Sequence, residues 1–118
     1  MAKHNDLGKK GEDRAYFYLK NKAYKILERN YKVDKSEIDI IAEKDKKIVF
    51  IEVKTRTSIA FGNPESFLSS AQKNRIIKLA AYYLEETQFE GEIRFDIIAI
   101  SKSSLVHLED AFFAYDAS

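Results

Sequence analysis

Two stretches rich in Ile and Val, Ser36-Glu37-Ile38-Asp39-Ile40-Ile41-Ala42 and Lys47-Ile48-Val49-Phe50-Ile51-Glu52-Val53-Lys54, are separated only by Glu43-Lys44-Asp45-Lys46. β-Branched runs without Pro or Gly favour strands, and so short a polar link between them favours a hairpin. Centring the loop on Asp45-Lys46 sets Asp39 opposite Glu52 and Glu37 opposite Lys54. The same register pairs Ile38 with Val53, Ile40 with Ile51 and Ala42 with Val49. A slip of one residue would turn that apolar set outward, so the hydrophobic pattern selects the register.

The other face is divided along its length. Ile41, Ile48 and Phe50 are apolar near the turn, while Glu37, Asp39, Glu52 and Lys54 gather at the open end. Opposed Cβ atoms in such a pair lie about 4.5–5.5 Å apart. Two carboxylates that close repel unless a cation lies between them. Oxygen ligands of this kind suit Mg²⁺ or Mn²⁺ rather than zinc. Lys54, two residues after Glu52, projects from the same face. There an ammonium can hold an attacking water or stabilise charge on a phosphorane-like transition state. The alternative is an edge hairpin whose charges meet solvent and discourage aggregation.

The flanking segments supply helices and further strands. Asn5 or Asp6 can cap a helix running to about Asn21, with Leu7, Gly8, Gly11, Ala15 and Leu19 as a packed face. Glu12 shares that side with Ala15, Tyr16 and Leu19, where a carboxylate needs a partner or the rim of a cleft. Tyr24–Tyr31 reads as a strand. A second helix is expected from about Pro64 to Glu86, with Gln72 on its packed side. Gln72 and Lys73 then either contact a phosphate or form a polar helix rim. Ile93–Ile100 and Leu105–Leu108 read as strands, with an Arg94–Asp96 salt bridge supporting the former. The long helical crossover permits a parallel strand pair. The expectation is an α/β fold in α-β-β-β-α-β-β order, a mixed central sheet flanked by helices, formed by residues 1–118 as one domain.

Composition narrows the chemistry. With 118 residues and 45% hydrophobic content there is material for one core. The absence of Cys removes disulfides, thiolate zinc sites and cysteine nucleophiles, and fits a reducing compartment. A polar N-terminus and the lack of any run of ~20 apolar residues favour a cytoplasmic protein without a membrane partner. Lys9, Lys10 and Arg14, Lys54 and Arg56, and Lys73, Arg75 and Lys78 form local basic groups, but a pI near 7.9 gives no global basic footprint. Neither His4 nor His107 stands where a paired general base would be expected. Phe112, Phe113 and Tyr115 offer an aromatic surface for protein interaction.

Glu37-Ile38-Asp39 followed by Phe50-Ile51-Glu52-Val53-Lys54-Thr55-Arg56 resembles the core of the PD-(D/E)xK nuclease superfamily. Gly8-Lys9-Lys10-Gly11-Glu12 with Ala15, together with Lys73 and Arg94-Phe95-Asp96, resembles more closely the small bacterial YraN-like family, which is similar to archaeal Holliday-junction resolvases. The resemblance covers nearly the whole chain. It implies a restriction-endonuclease-like fold, with Asp39, Glu52 and Lys54 as catalytic residues and Asp39, Glu52 and Glu12 as metal ligands. It further implies hydrolysis of DNA phosphodiesters, branched DNA being one candidate, and a homodimer. Lys9, Lys10, Arg56, Gln72 and Lys73 are candidate nucleic-acid contacts. Ser36 departs from the pattern, since Gly commonly precedes the glutamate there. A non-catalytic nucleic-acid-binding module on the same fold is the alternative.

Overall fold

The computed structural model describes residues 3–57 and 67–113, with side chains from residue 9 onward. Its elements are α1 (Lys3–Asn21), β1 (Lys25–Val33), β2 (Ser36–Lys44), β3 (Lys47–Thr55), α2 (Ser70–Thr87), β4 (Ile93–Ile100) and β5 (Leu105–Phe112). The strands form one sheet in the order β1-β2-β3-β4-β5. β1–β2, β2–β3 and β4–β5 are antiparallel, and β3–β4 is parallel across the α2 crossover. This is the α/β arrangement expected, a mixed sheet between two helical layers. Among the described residues no helix is long and apolar enough to cross a membrane.

Asp45 (φ 51°) and Lys46 (φ 67°) both occupy the left-handed region, which matches a two-residue hairpin turn to the twist of its strands. From Lys44↔Lys47 to Ile40↔Ile51 the ladder keeps the register that the hydrophobic pattern selects. Beyond that the expectation needs correction. The ladder stops at Ile40↔Ile51, and the Asp39 carboxylate instead accepts the Val53 N–H at 2.7 Å. Ile38 packs with the apolar core under α2 while Val53 packs under α1, so they are not partners. Glu37 lies opposite Lys32 of β1, and Lys54 pairs with Glu52.

Each face of the sheet carries its own core. On one, Ala15 and Leu19 of α1 pack on Tyr24, Ile40, Ala42, Val49, Ile51, Ile98 and Ile100. A Cβ on Gly11 would come within 2.5 Å of Thr55 Oγ1, so the small residue lets α1 press onto β3. Leu7 and Gly8, expected on the same packed face, lie outside the residues whose side chains are described. The helix already runs from Lys3, which places Asn5 and Asp6 inside its first turns rather than at the cap.

Under α2 the aromatic rings form a chain across the sheet. Tyr31 meets Tyr83 edge-on at 5.3 Å, Tyr83 meets Phe50 at 6.1 Å, and Phe50, Phe95 and Phe112 stack at 5.5 and 4.9 Å. Phe112 is therefore core, not interaction surface. β5 extends past Leu108 to include it, with a register shift opposite Phe95–Ile97 and Asp110 at φ 52°. Phe113 is exposed, and Tyr115 lies outside the described residues. The second helix also starts later than expected. Ser69 caps it, its hydroxyl accepting the Gln72 N–H while Gln72 Oε1 accepts the Ser69 N–H. That reciprocal pair fixes the first turn at Ser70, and Pro64 lies outside the described residues.

Candidate active site

Asp39 closes the open end of the β2–β3 hairpin, and Glu52 and Lys54 lie on β3 beside it. Glu52 is on the face that α2 covers, next to Ile97 of β4. Lys54 Nζ stands 3.8 Å from Glu52 Oε2, and both side chains are about one-sixth exposed, at 16% and 15%. At that separation the ion pair is longer than a normal hydrogen bond. Among the described residues, Glu52 Oε1 is buried with no hydrogen-bond partner. Asp39 is buried as well, held by the Val53 amide.

Both carboxyls resist ionisation. Burial raises the Asp39 pKa to about 6, helped by the charges of Glu12 and Glu37 and opposed by hydrogen bonds from Val53 and Glu52. Burial also raises Glu52, to about 9, with the charge of Asp39 and a shared proton adding to it; Lys54 and Arg75 pull the other way. The lysine is too distant to offset the loss of solvent. Lys54 and Arg75 do not supply enough positive charge for two carboxyls this close to ionise together. A divalent cation between them would supply it, and Mg²⁺ typically binds through one or two carboxylates while retaining waters. The donor set fits such an ion.

Glu12 stands differently. Its Oε1 accepts from Asn30 Nδ2 at 3.0 Å. Its charge reaches Asp39, yet no group of three or more His, Cys, Asp or Glu gathers at metal-binding distances among the described residues. The structure brings Asp39, Glu52 and Lys54 together and leaves Glu12 as a neighbouring carboxylate on α1.

The remaining sequence candidates are dispersed. Gln72 is engaged in capping α2. Lys73 Nζ lies 6.0 Å over the Phe112 ring, and Arg56 lies 5.8 Å over Phe67 while donating to Thr55 O at 3.1 Å. Lys9 and Lys10 are exposed on α1. Arg14, of the same basic group, is a brace: it donates to Ser101 O at 2.6 Å and Ser104 O at 3.3 Å, gripping the β4–β5 turn.

The Arg94–Asp96 bridge is the centre of a larger polar cluster that the sequence did not reveal. Asp96, fully buried, takes Arg94 Nη2 at 2.9 Å, His107 Nε2 at 2.6 Å and the Asp110 N–H at 3.1 Å. Tyr18 of α1 meets His107 Nδ1 at 3.0 Å, and Arg94 donates to Tyr24 at 2.6 Å. Burial pushes the Asp96 pKa up, but the hydrogen bonds from His107 and Arg94 outweigh it and hold it below the usual value. The Arg94–Asp96 bridge is the fold support expected. His107 joins it through a contact between β4 and β5 that no local spacing encodes.

An α/β domain with a buried carboxyl pair and an adjacent lysine at its strand ends is thus defined. The family described as "Uncharacterised protein family UPF0102" matches residues 11–100, and the chain belongs to it. A UPF0102 protein of Christiangramia forsetii is 46% identical over 119 residues, covering 98% of this chain and 100% of that protein. One from Flavobacterium psychrophilum has the same identity and coverage, and one from Thermodesulfovibrio yellowstonii is 46% identical over 92% of this chain and 96% of its own length. Among solved structures, Pyrococcus furiosus SfsA in complex with Ca²⁺ aligns with TM-score 0.39 and 18% identity over 83% of this chain, which spans 62% of that one.

Proposed function

We propose that the protein is a divalent-metal-dependent nuclease of the PD-(D/E)xK type that hydrolyses DNA phosphodiester bonds. The observation that carries this reading is the buried Asp39–Glu52 pair, with Glu52 Oε1 unsatisfied among the described residues and Lys54 alongside. Asp39 and Glu52 would hold Mg²⁺ or Mn²⁺, whose chemistry is to polarise the phosphoryl oxygen and acidify a bound water. Val53 fixes the Asp39 carboxylate by donating its N–H to one oxygen. Lys54 stands where its ammonium can orient the attacking water and stabilise charge developing on the phosphate. The resemblance of the hairpin motif to the nuclease core supports the same assignment.

Cleavage of duplex, single-stranded and four-way-junction DNA with Mg²⁺ or Mn²⁺, against EDTA controls, tests it. Asp39→Asn and Glu52→Gln should each abolish cleavage. Cutting that survives both substitutions sinks the assignment. DNA binding by a folded protein that takes up no divalent ion in calorimetry would point instead to a nucleic-acid-binding module on this fold. Sedimentation of the same samples measures whether the active species is a homodimer.

A further inference from the structure

Strand alternation breaks at Asn30. Consecutive side chains on a regular strand point to opposite faces. Arg29 and Asn30 nevertheless both reach α1: Arg29 Nη2 meets Asp13 Oδ1 at 2.8 Å, and Asn30 Nδ2 meets Glu12 Oε1 at 3.0 Å. Tyr31 then turns to the opposite side, packing on Tyr83 and donating to Glu86 of α2. The cause is the backbone of Asn30, at φ 54°. Asn tolerates this left-handed region better than most residues that carry a side chain.

The break has a counterpart on the neighbouring strand. Arg29↔Ile40 and Tyr31↔Ile38 keep one register, so Asn30 lies beside Asp39 with no inserted residue. On β2, Ile40 belongs to the core under α1 and Ile38 to the core under α2. Two facing residues therefore leave the regular pleat together. One carries the amide that holds Glu12, and the other is a carboxylate of the site.

We propose that Asn30 is a positioning residue of this site: its left-handed backbone turns its amide onto Glu12 and holds that carboxylate beside Asp39, facing the cation or its water. The inference rests on the metal reading above. Residues that orient metal-side carboxylates through a hydrogen bond commonly change metal affinity about 10–100-fold when lost.

The test is a double-mutant cycle read by Mn²⁺ calorimetry, with melting in EDTA as the check on folding. Asn30→Gly keeps the backbone conformation at no steric cost and deletes only the amide. It should weaken Mn²⁺ binding about tenfold while leaving the melting temperature in EDTA close to that of the parent. In a Glu12→Gln background, Asn30→Gly should have little further effect, because the amide acts through Glu12. Unchanged Mn²⁺ affinity in Asn30→Gly, or an undiminished effect without the Glu12 carboxylate, overturns the positioning role alone. Failure of the parent protein to bind Mn²⁺ overturns the metal reading and this inference with it.

Discussion

Replacing Glu52 by Gln should stabilise the metal-free protein, and the gain should depend on pH. In the folded chain the Glu52 pKa stands at about 9 against an ordinary 4.5. Below about 4.5 both folded and unfolded chains hold the proton, so the residue costs nothing. Above that value the unfolded chain releases it while the folded chain keeps it. Stability then falls by about 1.4 kcal/mol per pH unit until the folded group itself ionises. At pH 7 the full penalty would be about 3 kcal/mol, and partial exposure with coupling to Asp39 reduces it to about 2 kcal/mol. Gln has nearly the same shape and no proton to lose. At roughly 4 °C per kcal/mol for a domain of this size, Glu52→Gln should melt about 8 °C higher at pH 7 in EDTA, and no higher at pH 4. Thermal melts between pH 4 and 8.5 measure this directly. Added Mg²⁺ should recover stability in the parent, because it binds the folded state, and not in the variant. Parallel melting curves across the whole pH range, or a variant less stable at pH 8 in EDTA, would refute the account of a strained carboxyl pair.

Three further expectations concern separate parts of the molecule. Lys54→Met should leave Mn²⁺ affinity within severalfold and lower the cleavage rate about 10²–10³-fold, the usual effect of losing one charge-stabilising donor; single-turnover assays separate the two. Asp96→Asn should destabilise by about 3 kcal/mol near neutral pH, since it removes the buried partner of Arg94 and leaves that guanidinium only the exposed Glu109 as counter-charge, and denaturant titration measures it. The Asp96 pKa is lowered, so its contribution is present above the unfolded value and fades as pH falls through the folded one; the gap between parent and variant should narrow in acid. Phe112→Ala should cost about 3–5 kcal/mol by removing the last ring of the stack, visible in the same titration.

The parts legible in the sequence are those whose physics is local. Alternation in two adjacent strands and a two-residue turn determine the register from Lys44↔Lys47 to Ile40↔Ile51, and so place Asp39 and Glu52 at one end. The end itself could not be read, because Asp39 leaves the ladder to take a backbone amide through its side chain. Periodicity assumes a regular pleat, and Asn30 at φ 54° violates it. His107 looked isolated because its partners are Asp96 on the next strand and Tyr18 on α1, far away in sequence. Glu12 was readable as a carboxylate needing company on a packed helix face. That its partner is Asn30 was not, since the pairing depends on a backbone angle.

The sheet order has a consequence for how the chain comes together. Glu12, Asn30, Asp39, Glu52 and Lys54 all precede the α2 crossover, so a helix and a three-stranded meander already bring them together. Ladder contacts within the meander are close in sequence and form early; the β3–β4 pairing must wait for a long loop to close. In a meander without α2 and β4, Glu52 would lack the cover that raises its pKa in the folded chain. On that order of events, docking of α2 over Glu52 is the step that takes the carboxyl out of water and raises its pKa. If the meander forms first, the last stage of assembly should take up a proton, and its rate should vary with pH, and with divalent-ion concentration where the proposed metal site holds.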